Sequence, residues 1–326
     1  MKRLYYSAVI PGLEPVAVRL LQKEGGVSVE QALAGGVLYR SVKAPDFAFC
    51  RRTFLVLARM TGIRDPEAAL KRLSTSGGWL DNIPYEEAEH VHFRITVSDG
   101  DSKVHVNMKS VALLERTIAE QTGMHIDRER PTVELWLIAG DAGSLFLWRR
   151  KEKKDRDQGR LPADFSDMMA FLIGYDKKNV AVLGCRDDGL PRAMLARGAR
   201  KVACVLTAPE AADRVKRIPG LTAVTADAAH TGLETEGFDA LCVNLIPEKD
   251  KPAEDSNVLR SVFHEAARLT RKGGRMVAVL PAGSGREVLS RNREWAEEER
   301  YGCTLGGRKL EICVMMRQTG SVEDEE

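Results

Sequence analysis

"NVAVLGCRDDGLPRAMLARGARKV", residues Asn179 to Val202, decides the fold. Its opening apolar run reads as a buried strand that ends at Gly184, and "LPRAMLARG" after it carries apolar residues at helical spacing up to Gly198. Strand, glycine-bearing turn and helix in that order form the unit that grips a nucleotide-like ligand, with the turn at the helix N-terminus. The turn departs from the expected composition. Gly184-Cys185-Arg186-Asp187-Asp188-Gly189 keeps its outer glycines but sets an arginine and two aspartates at the tip. A side chain there hinders close approach of the backbone to a ligand.

Downstream, "KVACVL", "LTAV", "FDALCVN" and "GGRMVAVLP" read as further strands, with helices "APEAADRVKRI" and "NVLRSVFHEAARLTRK" among them. Regular alternation of this kind predicts a doubly wound parallel sheet with right-handed crossovers. The end of the chain differs: "EERYGCTLGG" and "RKLEICVMMRQ" predict an antiparallel hairpin closing the sheet edge. Upstream lie a helix, "LPADFSDMMAFLIG", led by Pro162, and a charged stretch, Trp148 to Arg160, that reads as a linker.

Two smaller segments precede it. In the first, "RLYYSAVIPGLEPVAVRLLQKEGG" passes from a strand through Pro11-Gly12 into a helix stopped by Gly25-Gly26. "GGVLYRSVKA" is a short strand, "DFAFCRRTFLVLARMTG" another element, and "DPEAALKRLSTSGGW" a helix capped by Asp65 with Pro66 in its first turn. In the second segment "HVHFRITVSD" is a strand, "VNMKSVALLERTIAEQTGM" an amphipathic helix ending at Gly123, and "TVELWLIAGDAGSLFLWRR" a hairpin turning at Gly140-Asp141-Ala142-Gly143.

Composition bounds the function. At 326 residues, 44% hydrophobic and 29% charged, the chain suits two or three globular domains. It has no run of about 18 apolar residues and no signal-peptide core, so a cytoplasmic protein without membrane contact is expected. Six scattered cysteines without a C-x-x-C pair read as reduced core residues. His90 and His92 sit two apart and are able to face one metal, but they read as a solvated loop-to-strand edge, and no metal is assigned. The net charge is only +2, with basic residues gathered in "WRRKEKKDRDQGR" and acidic ones in the terminal "EDEE".

Several of these segments, in order, resemble the THUMP-domain-containing RNA methyltransferases, whose members with this layout methylate guanine N2 in tRNA. "YYSAVIPGLEPVA" resembles the Pro-Gly-Leu-Glu start of their N-terminal ferredoxin-like domain, and "FCRRTFLVLARM" the Arg-Thr helix that follows it there. "FRITVSD", "MKSVALLERTIAEQTG", "RPTVELWL" and "GSLFLWRR" look like a THUMP domain, and the C-terminal third, with "LGGRKLEICVMMR", like a Rossmann-like class I methyltransferase domain. The resemblance implies an α/β protein with a ferredoxin-like domain over 1–88, a THUMP domain over 89–150, a linker and leading helix over 151–178, the methyltransferase domain over 179–318 and an acidic tail over 319–326. It implies a tRNA or other structured-RNA partner gripped by the N-terminal parts. Arg94, Lys103, Lys109, Arg149, Arg150 and Lys151 are the residues here able to track phosphates.

The resemblance also implies S-adenosylmethionine as cofactor, and its site transfers residue by residue. Gly184, Asp188 and Gly189 take the loop positions; Leu206 falls where an acid would accept both ribose hydroxyls; Asp227 and Ala228 fall where the adenine amine is met. Leucine accepts nothing, and losing two bonds to a charged acceptor costs about 1.5–3 kcal/mol each. Asn244-Leu245-Ile246-Pro247 aligns with the catalytic element, giving Asn244 and Pro247 as candidates to orient the exocyclic amine, without the second proline or the stacking aromatic. Two readings stand: an RNA-binding protein with a non-catalytic methyltransferase scaffold, acting alone or as partner subunit of a related enzyme, and an active methyltransferase with an atypical donor site. A third is another small ligand in the same crevice.

Overall fold

A computed structural model describes residues 2–84, 91–99, 102–150, 161–174, 178–206, 215, 218–246 and 255–319. The chain divides into two compact units, one of Met1–Val9 and Ala17–Arg156, the other of Ile10–Val16 and Asp157–Glu326. Among the described residues no helix is long and apolar enough to cross a membrane.

The first unit is built on one sheet. Its strands are β1 (Arg3–Ala8), β2 (Ser28–Leu33), β3 (Gly36–Ser41), β4 (Arg52–Met60), β5 (His92–Asp99), β6 (Ser102–Lys103), β7 (His125–Ile126), β8 (Val133–Gly140) and β9 (Gly143–Arg150). They run β2-β3-β1-β4-β9-β8-β5-β6, with β7 beside β5. The antiparallel pairing of β4 with β9 joins the two N-terminal segments in this sheet. Three helices accompany it: α1 (Glu14–Lys23), α2 (Pro66–Thr75) and α3 (Met108–Thr122). Asp65 caps α2 and Gly123 ends α3 as their sequences predict, and Asn107 adds a cap at the start of α3. Asp65 accepts from the amides of Glu67 and Ala68, Asn107 from that of Lys109, and Gly123 ends α3 at φ 75°.

The two faces of the sheet differ. On one, Leu57, Phe93, Leu135, Leu137 and Phe146 pack with Leu70 and Leu73 of α2 and Val111, Leu114 and Ile118 of α3. On the other, Tyr6, Leu38, Phe54, Val56, Leu145 and Leu147 form a cluster drawn from strands alone. Each large side chain so buried contributes about 1.5–3 kcal/mol.

Two elements differ from expectation. "FCRRTFLVLARM" contains a strand, β4, not the helix that the resemblance implies. Phe54 and Val56 go to the helix-free cluster while Leu55 and Leu57 go to the helix-packed one, so the run is apolar because both of its faces are covered. β2 has no counterpart in the sequence reading; its alternately exposed "SVEQAL" is an edge strand poor in strand formers.

The second unit has a seven-stranded sheet of β10 (Asn179–Cys185), β11 (Lys201–Leu206), β12 (Leu221–Thr225), β13 (Phe238–Asn244), β14 (Thr270–Pro281), β15 (Trp295–Leu305) and β16 (Arg308–Arg317). The order is β12-β11-β10-β13-β14-β16-β15. The first five pair in parallel and the last two antiparallel, so the predicted doubly wound sheet and closing hairpin are present. Its helices are α4 (Ala163–Ile173), α5 (Gly189–Ala196), α6 (Ser256–Leu269) and α7 (Arg286–Ser290). The expected helix "APEAADRVKRI" falls largely outside the described residues. α6 stops earlier than its sequence predicts: Thr270 turns to extended backbone, donates its hydroxyl to the Ala266 carbonyl at 2.8 Å and starts β14. Every residue of α4 from Asp164 to Ile173 is buried, as suits a helix apolar around most of its circumference.

Candidate functional site

In a parallel sheet ligands gather where the carboxyl ends of the strands meet. Here the ends of β10, β11, β12 and β13 carry Gly184, Leu206, Asp227 and Asn244, so the fold brings the expected donor-site positions to one edge. Gly184 has φ 71°, and a Cβ built on it would lie 2.3 Å from the Asn244 carbonyl oxygen. The pairing of β10 with β11 also shifts register between Val182 and Cys185. The glycine is thus required by contact with the end of β13 as well as by its left-handed backbone.

The loop after Gly184 is wired inward. Asp187 takes the Gly189 amide on Oδ1 at 2.7 Å and the Leu161 amide on Oδ2 at 2.9 Å, joining the turn to the residue ahead of α4. Asp188 is 3% exposed and meets Arg192, whose Nε donates to Oδ2 at 2.6 Å. It stands at the N-cap of α5 without a side-chain capping bond. Arg186 alone of the three tip residues is exposed. α5 is held to α4 in turn by Arg197, whose guanidinium forms a two-pronged bond to Asp167. Asp187 was not singled out by sequence reasoning, although an aspartate two residues before a helix-opening glycine is a common Asx-turn signal.

Beside the loop the strand ends are apolar or satisfied. Leu206 is fully buried and lies opposite Cys185 in the register. Hydrogen bonding to Cys185, then burial, pushes the Cys204 thiol far up, and burial does the same for Cys242. These thiols are protonated core groups. All six cysteines are free, and all but Cys50 are buried, as expected. Asp227 is exposed, and its Oδ1 accepts the Ala229 amide at 2.9 Å in a tight turn; Ala228 is buried in the core beneath. Asn244 is 5% exposed, with Leu245 and Ile246 buried after it; its Oδ1 lies 3.5 Å from the Ile246 amide. Pro247 lies outside the described residues.

S-adenosylmethionine fits these residues poorly. Leu206, expected at the ribose, is buried, and both tip carboxylates already hold the protein's own donors. The Ser166 hydroxyl, close to Gly189, is buried without a hydrogen-bond partner among the described residues. One hydroxyl does not replace a bidentate carboxylate.

The expected phosphate contacts are spread through the first unit. Arg94 and Arg149 lie on the helix-free face on either side of Glu134, opposite it in the β5 and β9 registers. Burial raises the Glu134 carboxyl, but Arg94, with Arg149 beside it, outweighs burial and holds it below the ordinary range. Lys109 sits in the first turn of α3, Lys103 in β6 and Arg150 at the end of β9; Lys151 is outside the described residues. His92 stands 5.6 Å from the ring of His125, and no metal-holding group occurs among the described residues; His90 lies outside them.

No protein-family model and no curated protein matches the sequence. Solved structures do match in fold. TrmN from Thermus thermophilus superposes with a TM-score of 0.73 at 17% identity, over 96% of this chain and 99% of that one. A protein from Clostridium difficile 630 described as a possible methylase gives 0.69 at 10% identity, over 98% and 99%. SMU.472, assigned as a methyltransferase and solved in complex with SAH, gives 0.66 at 10% identity, again over 98% and 99%. The chain therefore has an α/β fold with a Rossmann-like sheet in its second unit, and shares its architecture with these proteins along nearly its whole length.

Proposed function

We propose that the chain is an RNA-binding protein of the THUMP methyltransferase type, which receives tRNA or another structured RNA on its first unit and keeps the methyltransferase fold without donor chemistry. In this reading residues 1–88 are the ferredoxin-like part and residues 89–150 the THUMP part. The whole-length likeness to TrmN supports the family type. One observation carries the loss of chemistry: the donor-loop carboxylate of Asp187 is consumed by Leu161 and Gly189 while Leu206 closes the ribose position. A protein of this kind acts alone or as partner subunit of a related enzyme, presenting RNA.

Titration calorimetry with S-adenosylmethionine and S-adenosylhomocysteine tests the donor site, and a low-salt mobility shift with tRNA tests the RNA partner. No heat at millimolar nucleoside together with a shifted tRNA band is expected. Micromolar binding of either nucleoside would overturn the scaffold reading in favour of an active guanine methyltransferase with an atypical site. An unshifted tRNA would overturn the RNA reading.

A further inference from the structure

The second unit carries a cationic notch. Arg260 and His264 stand one turn apart on α6, and Arg291 and Arg293 lie in the turn that leads from α7 to β15. Together they line a cavity of about 460 Å³ over the buried Val288. Its walls are fixed in place. The Trp295 indole donates to the Phe263 carbonyl at 3.3 Å, which fastens the turn to α6, and Asn292 accepts the Glu294 amide at 2.8 Å.

Two carboxylates are at hand. Glu287 pairs with Arg291 at 3.1 Å, and Glu294 meets His264 at 3.3 Å. Arg260 and Arg293, both exposed, have no carboxylate partner among the described residues. Guanidinium groups left without a counter-charge in a concave site favour an anion, and carboxylates and phosphates both match them.

The course of the chain favours carboxylates. The Gln318 amide donates to the Glu294 carbonyl at 2.9 Å, so the chain leaves β16 against a residue that lines the notch. Residues 320–326 lie outside the described residues; their sequence carries four consecutive acids, Glu323-Asp324-Glu325-Glu326. The four residues from Thr319 to Glu323 reach up to about 13 Å when extended, more than a cavity of this volume measures across.

We propose that the notch is the docking site of this acidic run, with Arg260 and Arg293 each meeting a carboxylate. Exposed ion pairs are individually weak and screened by salt. The tether, which holds the run at an effective concentration of about 1 mM, makes the contact, and the contact gives way as salt rises.

Binding of labelled hexaglutamate to the full chain at low salt, read by fluorescence anisotropy, tests this. The variant with Glu323→Gln, Asp324→Asn, Glu325→Gln and Glu326→Gln leaves the notch open and is expected to bind the peptide about fivefold more tightly than the wild type. Adding Arg260→Glu and Arg293→Glu is expected to abolish that gain with thermal unfolding unchanged. Adding instead Lys71→Glu and Arg116→Glu, which lie exposed on the first unit and change the net charge equally, is expected to leave most of it. Equal binding by the wild type and the neutralised chain would overturn the proposal. If the arginine substitutions still abolish that equal binding, the notch takes an acidic segment of another protein; if they do not, it takes none. A gain removed as fully by the control pair as by the arginine pair would also overturn it, as an effect of net charge alone.

Discussion

A carboxylate is able to face a ligand or to hold a loop, and Asp187 holds a loop. Both its oxygens are bonded to backbone amides of the chain, and Asp188 is turned onto Arg192. Gly184, which by sequence marks a ligand loop, is fixed by the Asn244 carbonyl. The same residue types that bind a donor elsewhere are spent here on the protein itself. Asp187→Ala strips the Leu161 and Gly189 amides of their acceptor, a loss of about 1–3 kcal/mol for groups left partly buried and unpaired. Urea unfolding is expected to show this loss, with no gain in S-adenosylmethionine binding. A variant as stable as the wild type would mean that these amides find water and that the loop is not latched.

At the scale of elements, the turn after β12 is fastened to α6 by Glu265. Its carboxylate accepts the Thr231 amide at 2.9 Å and hydroxyl at 2.6 Å, and the Arg268 guanidinium at 2.7 Å. Arg268, working against burial and aided by Thr231, brings this carboxyl from 4.5 down to about 2. A group lowered on folding stabilises fully above its unfolded value and loses that contribution as pH falls through the folded one. Glu265→Gln is therefore expected to be less stable than the wild type at neutral pH by about 1–3 kcal/mol. The gap should close between pH 4.5 and about 2; a gap constant across that range would exclude the carboxylate as its source. α2 with its Asp65 cap and α3 with its closing glycine were legible from helical periodicity, and the closing hairpin and the parallel strands of the second sheet from short apolar runs set between turns and helices. β4 was not, because a strand covered on both faces has the same apolar run as a buried helix. The edge strand β2 offers too little hydrophobic contrast to be read. Of the candidate site, Leu206 was legible in the sequence as a side chain unable to accept a hydrogen bond, whereas the inward turn of Asp187 depends on Leu161, 26 residues earlier, and no local pattern encodes it.

At the scale of the whole molecule, a net charge of +2 supplies little long-range attraction for a polyanion, so RNA affinity has to come from local cations. Two sources compete: the arginines over the first sheet, several already neutralised by Glu30 or Glu134, and the basic run from Trp148 to Arg160. They differ in the number of phosphates engaged. Three or four contacts on a single strand give a slope of about −2 to −3 in log affinity against log salt, or about thirtyfold between 50 and 200 mM. That shallow slope is expected for the full chain with a short single-stranded RNA. A slope near −6 would put the basic run in charge and leave the arginines of the first sheet a minor contributor. If, as proposed, the fold is kept without donor chemistry, millimolar S-adenosylhomocysteine is expected to leave both affinity and slope unchanged. Tighter RNA binding in its presence would require a site that accepts the nucleoside and is coupled to the RNA surface.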